Sequence, residues 1–182
     1  MTGPSLPEKV LAIHARLVEA NVGHAFGGAL ALAYYAEPRS TIDIDVNVFV
    51  SPERHAVVET ELAQLGIAGD TSAEAVERDG QVRTWWNSTP VDLFYAYHEL
   101  HDAMRKATRR VAFASATIPI LGPEHLAACK AIFNRPKDWL DIEQILVATP
   151  DVDRDEIRRW IGAIVGGDDP RVERFVRLAE PL

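Results

Sequence analysis

Phe26-Gly27-Gly28-Ala29-Leu30-Ala31-Leu32, followed shortly by Thr41-Ile42-Asp43-Ile44-Asp45-Val46-Asn47-Val48, is the stretch that decides how this chain folds. Its first half reads as a Gly-Gly turn opening a short apolar helix. Its second half reads as a β-strand over residues 41–50 with two aspartates two positions apart. Side chains at i and i+2 of a strand share a face. Asp43 and Asp45 are therefore expected on one face, with Ile42, Ile44, Val46 and Val48 turned to a core on the other. Two carboxylates held side by side repel unless a cation lies between them. Oxygen donors on a rigid strand suit Mg²⁺, which takes one or two carboxylates together with substrate phosphates. Glycines between a strand and a helix let backbone N–H groups approach a phosphate, although a Gly-Gly pair also serves in any tight turn.

The flanking chain predicts alternating helices and strands. Residues 5–21 read as a helix with Ser5 as N-cap and Pro7 and Glu8 in its first turn. A strand is expected over 24–26, a helix over 29–36, and a helix from Ser51-Pro52-Glu53 to about residue 65. Residues 70–78 carry no clear period. Residues 81–86 and 90–97 read as the arms of a hairpin, the second placing Val91, Leu93 and Tyr95 opposite Asp92 and Phe94. A helix over 99–108 and extended chain over 110–121 follow. Four helices are expected over 123–134, 137–148, 153–165 and 170–179. The domain expectation is a mixed α/β part at 1–122 with a helical part at 123–182 packed on it.

Asp92 is a third acid on a separate strand. It could share a metal with Asp43 and Asp45 or take the proton of an acceptor hydroxyl. Each of the three could singly be an ordinary exposed strand residue; Asp-x-Asp after Gly-Gly with a later third acid favours a functional cluster. Neither the Gly-x-x-x-x-Gly-Lys phosphate loop nor a Gly-x-Gly-x-x-Gly motif occurs. The net charge of -8 over 182 residues argues against nonspecific nucleic-acid binding. Arg105, Lys106, Arg109 and Arg110 form one basic cluster. The single cysteine, Cys129, excludes an internal disulfide and reads as core. With no apolar run of spanning length and no leader-like N-terminus, the expectation is a cytoplasmic protein without membrane association.

Gly27-Gly28, Arg39-Ser-Thr41-Ile-Asp43-Ile-Asp45 and Val91-Asp92-Leu-Phe together resemble the signature of the nucleotidyltransferase superfamily, which includes polymerase β-type enzymes, aminoglycoside nucleotidyltransferases and AbiEii-type toxins. Pro123 to Lys130 and Arg135-Pro-Lys137-Asp138-Trp-Leu-Asp141 resemble the segment following the catalytic domain in the aminoglycoside-modifying and AbiEii-like branches. The likeness covers most of residues 20–148. It implies the nucleotidyltransferase fold, a mixed sheet flanked by helices with a helical C-terminal part. It implies Mg²⁺ on Asp43, Asp45 and Asp92, and a nucleoside triphosphate such as ATP at Gly27, Gly28, Arg39, Thr41 and Lys130. It further implies that Asp138 and Asp141 support the lysine or its loop; the residues themselves favour structural roles for both, Asp138 in a helix first turn where an acid is stabilised. Arg39 could instead pair with Glu37 or Asp43. The expected reaction transfers a nucleoside monophosphate to a hydroxyl and releases pyrophosphate. Its acceptor would be an aminoglycoside-like small molecule, or tRNA or a protein in a toxin with a cognate antitoxin. The alternative is an inactive nucleotide- or partner-binding module of the same fold.

Overall fold

The computed structural model describes residues 3–69 and 72–180. Within it the chain divides into two compact units, one of residues 1–30 and 40–120 and one of residues 31–39 and 121–182. The second unit thus includes a short excursion from the N-terminal half.

The first unit is built on a seven-stranded mixed sheet in the order β3-β4-β5-β2-β1-β7-β6. Its strands are β1 (His24–Phe26), β2 (Ile44–Val48), β3 (Ile67–Ala68), β4 (Gln81–Trp86), β5 (Thr89–Tyr95), β6 (Arg109–Phe113) and β7 (Ala116–Ile120). β2 lies at the centre, antiparallel to β1 and parallel to β5. One face is apolar: Ile44, Val46, Val48, Val91, Leu93 and Tyr95 are buried there. Helices α1 (Leu6–Glu19) and α3 (His55–Ala63) pack on each other, and α1 also contacts β7. Leu62 of α3 lines a pocket together with Val82, Thr84 and Leu93. Ser5 starts α1 as expected, its N–H and hydroxyl both donating to the Glu8 carboxylate at 2.7 Å. Lys9 is drawn inward, donating to the Trp86 carbonyl and to the Thr89 hydroxyl.

Several expectations are corrected by pairing partners far off in the chain. The central strand begins at Ile44, so Asp43 precedes it and Ile42 is 71% exposed instead of core. The helix after Gly27, α2 (Gly28–Leu32), is shorter than its apolar composition suggests and gives way to turns. The helix expected from Ser51 is split into a 3₁₀ turn, Pro52–Arg54, and α3. α4 (Ala73–Asp79) occupies most of the stretch without a clear period, of which residues 70–71 lie outside the described residues, and β3 precedes it. The extended segment after α5 (Glu99–Lys106) is a hairpin, β6–β7, turning at Ala114 with φ +47°. His98 and His101 cap the start of α5, and His101 is buried.

An imidazole pair, His24 buried and His14 half-buried, lies between α1 and β1. His24 Nδ1–H donates to the Val22 carbonyl, leaving Nε2 to accept from His14 Nδ1–H at 2.9 Å. Burial pushes the His24 pKa down to about 4 from 6.5, with the Val22 bond partly opposing it. Burial, then the Arg110 charge, also lowers His14. A depressed folded pKa means that the unfolded chain binds the proton first as pH falls. Stability should be flat above pH 6.5 and fall by roughly 3 kcal/mol towards pH 4 through His24. Urea midpoints across that range check this, and His24→Gln should flatten the slope.

Among the described residues, the C-terminal part of the second unit folds as α6 (Pro123–Phe133), α7 (Pro136–Ala148), α8 (Arg154–Val165) and α9 (Pro170–Ala179). Their starts match the Pro, Asp and Gly punctuation of the sequence. α6 packs on α7, α8 and α9, and the terminal arginines brace this bundle. Arg171 binds Asp169 and the Ile132 carbonyl, Arg174 covers Trp139, and Arg159 covers Trp160. Cys129 is partly buried, and desolvation pushes its thiol up to about 12, which suits packing and not nucleophilic attack. Among the described residues, no helix is long and apolar enough to cross a membrane.

Candidate functional site

The open face of the first unit's sheet carries Asp45 and Asp92. Asp45 of β2 and Asp92 of β5 are register partners on parallel strands, and their apolar neighbours point the other way. Parallel strands run about 4.8 Å apart, so the two carboxylates are side-by-side neighbours. Asp43 stands two residues before Asp45, where the chain enters the strand. Thr41 shapes that entry: its hydroxyl accepts from the Asp43 N–H at 3.2 Å and lies 3.3 Å from the Asp43 carbonyl.

The glycine turn lies against Asp45. Gly27 donates its N–H to the Asp45 carbonyl at 2.9 Å, so that donor is spent on the sheet. Gly28 has φ +53°, and a methyl group there would lie 2.5 Å from the Asp45 Cγ and overlap its Oδ2. Gly28 therefore serves two ends at once. It turns the chain left-handedly, and its bare Cα gives the carboxylate room.

Sequence reasoning missed Arg83. It is the cross-strand partner of Asp92 in the β4–β5 hairpin, and Nε and Nη2 each hold one carboxylate oxygen at 2.7 Å. The hydrogen bond to Asp92, opposed by slight burial, pushes the Arg83 pKa up; the charges of Asp92, Asp43 and Asp45 add to it. The signal was present: Asn87-Ser88 is a two-residue turn with Asn87 at φ +54°, and counting back from it pairs Arg83 with Asp92. Trp85 stands two residues along on the exposed face, whereas Trp86 is buried.

Among the described residues, no three His, Cys, Asp or Glu side chains are gathered as ready metal ligands. The expected triad is therefore a pair, Asp45 and Asp92, with Asp43 adjacent in sequence and Arg83 gripping Asp92. For Mg²⁺ the donors still fit in kind. They are all carboxylate oxygens, and Asp45 and Asp92 are in register on neighbouring strands. Completing the set requires Arg83 to release Asp92.

The second unit contains a buried charge cluster. Asp141 is 4% exposed and accepts from Lys130 Nζ at 2.6 Å and from Arg39 Nε and Nη2 at 3.3 and 3.1 Å. Burial raises the Asp141 pKa, but the Arg39 and Lys130 hydrogen bonds outweigh it and the net shift is downward. Arg39 thus pairs with Asp141, not with Glu37 or Asp43. Lys130 is as buried as its partner, while the Arg39 side chain is 38% exposed. Asp138 caps α7, accepting from the Arg135 N–H and guanidinium. Asp141→Ala would leave the Lys130 ammonium buried without its anion and should cost about 3 kcal/mol in chemical denaturation. Lys130→Met, with Arg39 still pairing Asp141, should cost clearly less.

No protein-family profile and no curated protein sequence matches the chain. Solved structures do. The solution structure of the antibiotic-resistance factor ANT(2'')-Ia superposes with a TM-score of 0.61 at 17% identity, covering 93% of this chain and 92% of that one. The crystal structure of ANT(2'')-Ia in complex with adenylyl-2''-tobramycin gives 0.61 at 15% identity, over 86% and 95%. An antigenic nucleotidyltransferase-like protein from Paracoccidioides brasiliensis gives 0.51 at 14% identity, over 95% and 91%. With its seven-stranded mixed sheet, its flanking helices and these likenesses, the chain has the nucleotidyltransferase-like fold that its glycine and aspartate motifs resemble.

Proposed function

We propose that this protein is a Mg²⁺-dependent nucleotidyltransferase that moves a nucleoside monophosphate from a nucleoside triphosphate to an acceptor hydroxyl. The observation that carries the reading is the Asp45 carboxylate resting against the bare Cα of Gly28, with Asp92 in register on the next strand. Bound there, Mg²⁺ would offset triphosphate charge and stabilise the charge that builds up during phosphoryl displacement. Asp43 and Asp45 hold the ion. Asp92, once free of Arg83, helps hold it or takes the proton of the acceptor hydroxyl as that oxygen attacks the α-phosphorus. The bond from the α-phosphorus to the bridging oxygen breaks, and pyrophosphate leaves. Of the two cations on Asp141, Arg39 is the one exposed enough to meet a phosphate.

An aminoglycoside-like hydroxyl is the acceptor we favour, supported by the adenylyl-2''-tobramycin of a structural neighbour and by the acidic net charge. A toxin-like activity on tRNA is the second reading. It is supported by the exposed run of Arg105, Lys106, Arg109 and Arg110, which offers phosphates a local positive field. An inactive nucleotide-binding module is the remaining alternative, and the Arg83 grip on Asp92 favours it. Incubation with each labelled triphosphate, total tRNA and a panel of aminoglycosides separates the three by what becomes labelled. Label on none of them, with nucleotide still bound, would leave only the module.

A further inference from the structure

Arg83, on the open face of the sheet, has no part yet in the transfer reaction. Arg83, Asp92 and Asp45 occupy one continuous rung across β4, β5 and β2. Two carboxylates side by side on rigid strands repel, and a planar guanidinium bonded to both oxygens of one of them relieves that repulsion better than a point charge would. The pair is unequal in freedom. The Arg83 side chain is 53% exposed and Asp92 is 16% exposed, so the guanidinium has solvent to move into while the carboxylate is held in place.

We propose that Arg83 is a built-in cation that neutralises the Asp92–Asp45 pair in the metal-free protein and competes with a divalent ion for Asp92. Metal loading then requires only that Arg83 rotate about its side-chain bonds, with the strands unmoved. This rests on the transferase reading in one respect, that a divalent ion goes to these carboxylates. Two opposite consequences follow from removing the guanidinium. The metal-free fold weakens, because Asp92 loses its bonded counter-charge. Divalent affinity strengthens, because the competitor has gone. General damage to the site would weaken both, so the direction of the affinity change identifies the role.

The test is Mn²⁺ titration, followed by calorimetry and by the electron paramagnetic resonance of free Mn²⁺, on wild type, Arg83→Gln and Arg83→Lys. Arg83→Gln should bind Mn²⁺ about tenfold more tightly than wild type. Arg83→Lys, which keeps the charge and loses the fork, should fall between them. Thermal unfolding without metal should show Arg83→Gln below wild type, and saturating Mn²⁺ should close that gap. Equal or weaker binding by folded Arg83→Gln overturns the proposal and leaves the transferase reading standing. Absence of Mn²⁺ binding by both folded proteins, in the presence and absence of triphosphate, overturns the two together.

Discussion

Asp45→Asn is expected to abolish metal-nucleotide binding and to cut nucleotidyl transfer by about a thousandfold, roughly 4 kcal/mol of transition-state stabilisation. The substitution is nearly isosteric, so the amide still fits over Gly28 and the sheet stays intact. It removes the negative charge and puts a hydrogen-bond donor where a cation would bind. Asp45 is the choice because its carboxylate rests against Gly28 and its backbone is in register with Asp92 on the next strand. Calorimetric titration of Mg²⁺-triphosphate into wild type and Asp45→Asn, paired with the labelling assay, reads both effects. Equal affinity in the two proteins would sink the assignment of Asp45, and with it the proposed site.

Gly28→Ala should be the second most damaging change, and for a reason that can be isolated. The backbone there has φ +53°, a conformation that costs an L-residue about 1 kcal/mol. The added methyl would also meet the whole Asp45 side chain, 3.1 Å from Cβ and 2.5 Å from Cγ. Either the carboxylate swings away or the turn opens, and both displace the Asp45 carboxylate from its place beside Asp92. Transfer should fall by at least about a hundredfold, since displacing a reacting group by an ångström costs that much. Stability should fall by about 2 kcal/mol. Gly66→Ala is the control. Gly66 has φ +80° with nothing within 4 Å of an added methyl, so it carries the strain without the collision. It should lose stability by about 1 kcal/mol and keep its activity. Comparable activity losses in the two variants would mean that the Gly28 contact with Asp45 has no functional weight.

The residues most legible in the sequence were those whose meaning is local. Gly27-Gly28 announced a turn into a helix, and the alternation of Val91, Leu93 and Tyr95 with Asp92 and Phe94 announced a strand with one buried face. The Pro and Asp starts of the last four helices were readable because capping is settled within one turn of chain. The Asp-x-Asp spacing put Asp45 on the open face correctly, since side-chain parity is a property of the strand alone.

What the tertiary structure alone decided was partnership. Asp43 falls outside β2 because the strand ends where its neighbours stop pairing, and Ile42 loses its core position with it. Ile67–Ala68 becomes a strand only through the β4 edge beside it, and Asp141 acquires Arg39 from a segment distant in sequence. Arg83 lies between these cases. Its bond to Asp92 follows from hairpin register once the turn at Asn87 is known, but no periodicity within β4 points to it. Periodicity and capping depend on neighbours along the chain and are written in it. Counter-charges and strand ends depend on which distant segment folds alongside, and here that choice decides whether Asp92 faces a guanidinium or is free to meet a metal ion.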